Sequence, residues 1–187
     1  LGFLLAPAAH PAVREFAGSR ARMAIPTLFN VLGPLLNPAR PAAALIGTAF
    51  GQYAPLLLEA ALALGRRRVA VVRGEEGLDE ISASGPTRVW ESLDGARREY
   101  LLTPQDFGTE AVPFHDVKAE TPAQAQRIAE DILAGRLTGA HYRLVALNAA
   151  YAYARLHHTE MPLPEAYSVM ADALASGAAG AQLARLK

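Results

Sequence analysis

The sequence contains no cysteine among its 187 residues, so it can form neither a disulfide nor a thiolate metal site. Proteins without disulfides are typical of reducing compartments, and we therefore expect a cytoplasmic setting. The apolar opening at 1–7 lacks a basic leader and is too short for a signal peptide. An initiator methionine is also absent, which suggests that a preceding part of the protein has been removed.

Neither sign of charge predominates, because Lys+Arg and Asp+Glu both number 18 and the formal net charge is zero. This balance argues against a general role in binding nucleic acid or a membrane surface, although a local basic patch is compatible with it. No apolar run approaches the roughly 18 residues that indicate a membrane span. Hydrophobic residues make up 51% of the chain, so we expect one compact unit with a substantial core.

The familiar motifs of nucleophilic and nucleotide chemistry are missing. The sequence has no nucleophile elbow, no Ser-His-Asp arrangement, no P-loop and no dinucleotide-binding fingerprint. The adjacent pair His157-His158 lacks the i, i+4 spacing of two metal ligands on one helix face, and favours an interaction with the end of its own helix. No residue is therefore predicted to act as a catalytic acid, base or nucleophile.

The hydrophobic pattern predicts alternating strands and helices in the first half of the chain. The predicted elements are strands at 2–6, 43–49, 69–73, 87–93 and 97–102, and helices at 11–23 and 55–64. Strand, helix and strand between 43 and 73 form a right-handed βαβ unit with parallel strands. The pair Asp94-Gly95 between two alternating segments predicts a hairpin. We expect an α/β fold with a central, mostly parallel sheet flanked by helices.

The C-terminal third is predicted to be helical. Thr121 and Gln124 have the spacing of a capping box at the start of one helix, and Gly135 ends that helix. A second helix is predicted at 141–157, and a third begins at Pro164.

A glycine-punctuated acidic stretch at 74–82 follows the buried strand at 69–73. It carries four carboxylates, of which Asp79 and Glu80 are adjacent. Two carboxylates on a loop at the carboxyl end of a parallel strand are suited to holding Mg²⁺. The alternative is a solvated acidic loop, which the spacing alone favours because Asp-Glu dipeptides are common on protein surfaces.

Arg20 lies on the predicted helix at 11–23 among small neighbours, which leaves room for a flat anion to approach its guanidinium group. The alternative is a surface arginine whose aliphatic stem lies along the helix. The local sequence alone favours this second interpretation.

Several short motifs in a fixed order carry a resemblance to a known family. They are Gly2-Phe3-Leu4-Leu5-Ala6-Pro7, His10-Pro11-Ala12, the run 27–38 (TLFNVLGPLLNP), Gly77-Leu78-Asp79-Glu80-Ile81-Ser82, Gly85-Pro86-Thr87, the run 102–108 (LTPQDFG) and Leu147-Asn148-Ala149-Ala150. Over essentially its whole length the chain resembles the C-terminal part of the anthranilate phosphoribosyltransferase family. The resemblance implies the fold shared with pyrimidine nucleoside phosphorylases, with residues 1–187 forming the C-terminal portion of its large α/β domain.

The resemblance also implies an activity and a set of site residues. The reaction is attack of the anthranilate amine on the anomeric carbon of phosphoribosyl pyrophosphate, with release of pyrophosphate, in tryptophan biosynthesis. By this resemblance Asp79 and Glu80 bind Mg²⁺ on the pyrophosphate, while Arg20 and Pro34 bind anthranilate. The family is homodimeric through a helical domain that this sequence lacks.

The sequence departs from the family pattern in two places. Ala24-Ile25-Pro26-Thr27 stands where the family usually has Gly-x-Arg-Thr, so a basic residue near the site is lost. The glycine-rich loop that cradles the phosphates in the family is absent, so the chain alone is expected to be inactive. Two further alternatives are a non-catalytic, nucleic-acid-binding sibling of the same fold and an inert structural remnant.

Overall fold

The computed structural model describes residues 32–157 and 160–186. The predicted strand at 2–6 and the predicted helix at 11–23, with Arg20, lie outside these residues. In chain order the strands are β1 (Ala43–Gly47), β2 (Arg68–Gly74), β3 (Thr87–Leu93) and β4 (Ala96–Leu102). The α-helices are α1 (Ala54–Ala63), α2 (Pro122–Leu133), α3 (Ala140–Tyr151), α4 (Leu163–Ala175) and α5 (Ala178–Ala184), and α3 continues as a π-helix, Ala152–His157.

The four strands form one sheet in the order β1-β2-β3-β4. β1 and β2 are parallel, with α1 between them in sequence, which confirms the predicted βαβ unit. β2 and β3 are antiparallel, as are β3 and β4. Asp94 and Gly95 join the last pair and both have positive φ, 49° and 95°, as a two-residue type I′ turn requires.

The α/β class is confirmed, but the sheet that the described strands form is mixed, whereas we expected a mostly parallel one. Among these strands, the β1–β2 connection is the one that contains a helix long enough to return the chain to the same edge of the sheet. The loop after β2 and the two-residue turn after β3 each reverse the chain direction. The two antiparallel pairings follow from those connections.

The sheet is covered by helices on both faces. Val69 and Val71 of β2 face α1, where they pack with Leu57 and Ala61. On the other face Ala70, Val72 and Val89 pack with residues of α3 and α4, which are Leu147, Ala150, Tyr151, Leu163 and Ala166. Because successive side chains of a strand point to opposite faces, the unbroken apolar run of β2 requires a helix layer on each side.

The predicted ends of α2 are confirmed, but the capping box at its start is incomplete, because the Gln124 side chain accepts from Glu120 and not from Thr121. The Gln124 amide donates to Thr121 Oγ1 at 3.1 Å, and Gln124 Oε1 accepts from the Glu120 amide at 2.7 Å. Gly135, just after the helix, has φ of 70°. A left-handed residue at this position ends the helix without the steric cost that a Cβ atom would add.

Candidate metal and substrate site

The acidic loop, which we define as residues 75–86 between β2 and β3, begins with a tight turn. The Gly74 amide donates to the Leu78 carbonyl at 2.8 Å, and the Gly77 amide donates to the Gly74 carbonyl at 2.9 Å. Gly77 has φ of 99°, which favours glycine at this point of the turn. The Glu75 amide donates to the Pro86 carbonyl at 2.9 Å, so the two ends of the loop meet beside β2 and β3.

The middle of the acidic loop rests on the carboxyl end of β1. A Cβ atom added to Gly47 would lie 1.6 Å from the Asp79 carbonyl oxygen. Any larger residue at 47 would therefore force the loop away from the sheet. Because β1 and β2 are parallel, Asp79 lies at the edge of the sheet where both of these strands end, which is the usual place for ligands in open α/β folds.

Two of the four loop carboxylates are held by other side chains. Glu75 forms ion pairs with Arg88 at 3.2 Å and with Arg73 at 3.9 Å. Glu76 accepts a short hydrogen bond from the Ser82 hydroxyl. These two carboxylates are therefore occupied within the loop and its flanking strands.

Asp79 and Glu80 remain available to a ligand. Both are exposed, and neither forms an ion pair with any residue in the ranges 32–157 and 160–186. The pKa of Glu80 is raised above its ordinary value, by desolvation first and by the adjacent charge of Asp79 second. A cation bound between the two carboxylates would relieve this repulsion.

The donor set fits a Mg²⁺ ion that is shared with a substrate. Within the described part of the chain, no group of three or more His, Cys, Asp or Glu side chains could hold a metal ion. Two carboxylate oxygens are nevertheless what Mg²⁺ commonly takes from a protein, because it keeps several waters and binds substrate phosphates through its other positions. The pair therefore suits a phosphate-bound ion better than a resident one.

The second half of the acidic loop is fixed by hydroxyl groups. The Ser82 amide donates to Thr87 Oγ1 at 2.8 Å, and Ser82 Oγ accepts from the amides of Ser84 and Gly85 at 2.9 and 3.2 Å. Ser82, Gly85 and Thr87 belong to the motifs that carry the family resemblance, but the local sequence pattern predicted no role for them. Their role is to hold the loop backbone where no ladder of strand hydrogen bonds is present.

Asn148 of α3 is a further contact of the acidic loop that the sequence reasoning missed. Its Oδ1 accepts from the Ile81 amide at 2.9 Å, and its Nδ2 donates to the carbonyls of Ile81 and Leu144, each at 2.9 Å. Asn148 belongs to the motif Leu147-Asn148-Ala149-Ala150, but the local sequence pattern cannot predict a hydrogen-bond partner 67 residues away.

Pro34 lies in a 3₁₀ helix, Gly33–Leu36, away from the acidic pair. The buried guanidinium group of Arg66 donates from Nη2 to the Pro34 carbonyl at 3.0 Å and to the Leu35 carbonyl at 3.3 Å. Burial lowers the pKa of Arg66 below its ordinary value. These contacts place Pro34 near the end of α1 that leads into β2, while Asp79 lies at the opposite end of β1. The contacts described here do not bring the two predicted sites together, and the role of Pro34 stays a prediction.

Two cavities elsewhere on the molecule do not include Asp79 or Glu80. One of about 670 Å³ lies between β4 and α4, and includes Glu91, Tyr100 and Arg155. Another of about 730 Å³ lies between residues 35–40 and the end of α1. Within the part of the chain that the structure describes, Asp79 and Glu80 are exposed. No helix of that part is both long and apolar enough to cross a membrane.

Comparison with known proteins finds relatives named anthranilate phosphoribosyltransferase. The model of the glycosyl transferase family, a/b domain, matches residues 1–180. An anthranilate phosphoribosyltransferase of Aeromonas salmonicida is 42% identical over 188 residues, which cover 98% of this chain and 54% of that protein.

Solved structures agree with this finding. Anthranilate phosphoribosyltransferase from Thermus thermophilus superposes with a TM-score of 0.82 at 35% identity, over 95% of this chain and 52% of the other. The Saccharomyces cerevisiae enzyme in complex with PRPP and Mg gives 0.82 at 28% identity, over 95% of this chain and 51% of the other. This chain thus spans about half the length of each of these relatives.

Proposed function

Because the chain belongs to the glycosyl transferase family, a/b domain, we propose that it forms the metal-binding, C-terminal part of an anthranilate phosphoribosyltransferase. The observation that carries the proposal is the exposed Asp79–Glu80 pair, held against the carboxyl end of β1 by the close approach at Gly47. The relatives at 42% and 35% identity support the substrate assignment. The S. cerevisiae relative with PRPP and Mg supports Mg²⁺ as the ion.

The reaction requires the protein to position the two substrates and to stabilise charge on the leaving pyrophosphate, and it requires no covalent bond to the protein. The anthranilate amine attacks the anomeric carbon of phosphoribosyl pyrophosphate, the bond from that carbon to the pyrophosphate oxygen breaks, and the nitrogen releases one proton. Asp79 and Glu80 hold Mg²⁺, which, when bound, neutralises charge that develops on the leaving pyrophosphate. By holding an ion at the leaving group, the two carboxylates would lower the barrier to its departure.

The anthranilate side of the site is assigned to Arg20 and Pro34. A guanidinium group matches the planar anthranilate carboxylate and would direct the amine towards the anomeric carbon. Arg20 lies outside the described residues, so its assignment rests on the order of the motifs. Binding of the phosphates, and dimerisation through a helical domain, belong to segments that this sequence does not contain.

The alternative of a nucleic-acid-binding sibling has less support. The formal net charge is zero, and the exposed residues of the loop include a pair of carboxylates that would repel a phosphate backbone. A cytoplasmic location accords with the absence of cysteine and with tryptophan biosynthesis as the proposed pathway.

The proposal is tested in the whole protein that carries this chain, with the double variant Asp79→Asn/Glu80→Gln. We expect the rate of phosphoribosyl transfer to fall by roughly a hundredfold or more at limiting Mg²⁺, because changing residues that only orient metal ligands already costs tenfold to a hundredfold in such sites. Loss of anthranilate fluorescence measures the rate, and circular dichroism checks that the fold is retained.

Glu75→Gln is the matched control, because Glu75 is an acid of the same loop that is already paired with Arg88 and Arg73. It should leave the Mg²⁺ requirement unchanged. Equal kinetics of the double variant and the control at limiting Mg²⁺ would contradict the assignment of Asp79 and Glu80.

A further inference from the structure

Asn148 joins α3 to the acidic loop through both polar groups of one residue, Ile81. The Ile81 amide donates to Asn148 Oδ1, and the Ile81 carbonyl accepts from Nδ2, both at 2.9 Å. The Leu144 carbonyl, one helical turn earlier, accepts a second bond from Nδ2 at 2.9 Å. These partners fix the orientation of the Asn148 amide group, because two carbonyls require the nitrogen and the amide N–H requires the oxygen.

The backbone that Asn148 holds is directly attached to the acidic pair. The Ile81 nitrogen belongs to the peptide group whose carbonyl carbon is that of Glu80. Ile81 itself is 1% exposed and packs in the core cluster between the sheet and α3. Fixing this peptide group therefore fixes the direction in which the chain leaves Glu80 towards the core.

The remaining anchors of the acidic loop lie on either side of this stretch. The turn at 74–78 is closed by the bond from the Gly74 amide to the Leu78 carbonyl. The segment after Ile81 is held by the bond from the Ser82 amide to Thr87. Between these anchors, the loop backbone has two described contacts. The Asp79 carbonyl packs against Gly47, and Ile81 forms two hydrogen bonds with the Asn148 side chain.

We propose that Asn148 is a positioning residue for the metal-binding pair, which holds the Glu80–Ile81 peptide so that both carboxylates can bind one Mg²⁺ ion. The metal role rests on the proposed function, whereas the anchoring of the loop rests on the contacts alone. Mg²⁺ demands near-octahedral geometry at about 2.0–2.1 Å from its ligands, so small shifts of the loop are costly. Asn148 contacts no ligand and acts through the backbone that it holds.

The test uses two variants of the whole protein that carries this chain. Asn148→Leu keeps the number and branching of the side-chain heavy atoms but loses every hydrogen bond of the amide group. Asn148→Ser is too short to reach both groups of Ile81, but leaves room for a water molecule that can satisfy them. Two readouts are measured: hydrogen exchange of the Ile81 amide, and the Mg²⁺ concentration that gives half of the maximal rate.

Tyr142→Phe is the matched control on the same helix. The Tyr142 hydroxyl donates to the Ala171 carbonyl of α4 at 2.6 Å, so the variant also removes a bond from an α3 side chain to backbone. That bond lies on the side of α3 that faces α4 and not the acidic loop. The Tyr142→Phe variant should therefore leave both the exchange of the Ile81 amide and the Mg²⁺ requirement as they are in the unmodified protein.

For both Asn148 variants we expect faster exchange of the Ile81 amide and a Mg²⁺ requirement raised by roughly tenfold to a hundredfold, as for other residues that orient metal ligands. The Michaelis constant for anthranilate should change by less than about twofold, because the carboxylate partner of anthranilate is not moved. If Asn148 only stabilised the fold, its variants would lower the thermal stability without raising the Mg²⁺ requirement more than the Michaelis constant for anthranilate.

An unchanged Mg²⁺ requirement in a folded Asn148 variant would overturn the proposal, as would equal changes for both ligands. If Asn148→Leu fails to fold, Asn148→Ser decides by the same criteria. If the unmodified protein shows no phosphoribosyl transfer, the proposed function fails separately. Mn²⁺ binding, followed by electron paramagnetic resonance, then decides the role of Asn148: weaker binding in the variants supports it, and equal binding overturns it.

Discussion

At the scale of single residues, Gly47 decides how closely the acidic loop approaches the sheet. Its backbone lies against the Asp79 carbonyl, and no side chain fits in the gap. The hydrophobic pattern places this glycine inside the predicted strand at 43–49 and gives it no separate role. Its importance comes from a residue 32 positions later in the chain, which the fold brings to the same point.

We expect Gly47→Ala to shift the acidic loop and to raise the Mg²⁺ requirement of the whole protein. The added methyl group meets backbone atoms that cannot rotate away, so a loss of about 1–3 kcal/mol in the free energy of unfolding is expected. Chemical denaturation measures the stability, and the rate at graded Mg²⁺ measures the requirement.

Gly51→Ala is the control for this prediction. A Cβ atom at Gly51 would meet Arg73 Cδ at 3.0 Å, and that flexible side chain can move. If Gly47→Ala matched Gly51→Ala in both stability and Mg²⁺ requirement, the close contact would not be what positions the loop.

At the scale of secondary-structure elements, a buried hydroxyl–carboxylate cluster joins the hairpin to α3. Glu91 of β3 is 2% exposed, and its Oε2 accepts from the hydroxyls of Tyr100 and Tyr151 at 2.9 and 2.7 Å. Burial raises the pKa of both tyrosines above their ordinary value near 10. The protonated hydroxyls are what the folded structure stabilises, because both donate to the same carboxylate.

This cluster predicts a loss of stability at alkaline pH. Because the folded-state pKa values are raised, the unfolded chain releases these protons first as the pH rises. The stabilisation is therefore complete below pH 10 and decreases as the pH rises above that value. Urea unfolding at pH 7, 9 and 10.5 measures the trend.

Tyr151→Phe should lower the free energy of unfolding at pH 7 by about 1–3 kcal/mol, because it removes a donor from a buried carboxylate. It should also weaken the alkaline decrease. Tyr53→Phe, at an exposed tyrosine, is the control and should change neither. An equally steep alkaline decrease in the Tyr151→Phe variant would show that other groups cause it.

At the scale of the whole molecule, α1 presents apolar side chains to its surroundings. Leu56 is 63% exposed and Leu64, which follows the helix, is 59% exposed, on the outer side of a helix that packs on β1 and β2. A helix that is apolar on nearly all sides is usually covered on more than one. Self-association of the isolated chain is the expected consequence.

We expect the 187-residue chain alone to show no phosphoribosyl transfer. It supplies two carboxylates for Mg²⁺, but its sequence has no glycine-rich loop to fix the phosphates of the substrate. Incubation with anthranilate, phosphoribosyl pyrophosphate and Mg²⁺, followed by anthranilate fluorescence, measures this directly. Addition of the complementary part of the protein in trans is the positive control, and sustained turnover by the chain alone would contradict the prediction.

The sequence by itself determined the local elements. The apolar run of β2, the Asp94-Gly95 turn and the Thr121 cap each specify their structure through interactions between near neighbours, and all three are confirmed. The sequence also identified Asp79 and Glu80 as the candidate metal ligands, although it left a solvated acidic loop as the alternative.

The tertiary structure alone decided which carboxylates of the acidic loop are available. The loop has four acids, of which Arg88 engages Glu75 and Ser82 engages Glu76, while Asp79 and Glu80 are left exposed. Gly47 contacts Asp79, which lies 32 positions later, and Asn148 binds Ile81, which lies 67 positions earlier. Contacts at such distances depend on how the layers pack, and periodicity, caps and turns contain no information about packing partners. That is why the candidate ligands could be predicted from the sequence, whereas the residues that hold their loop could not.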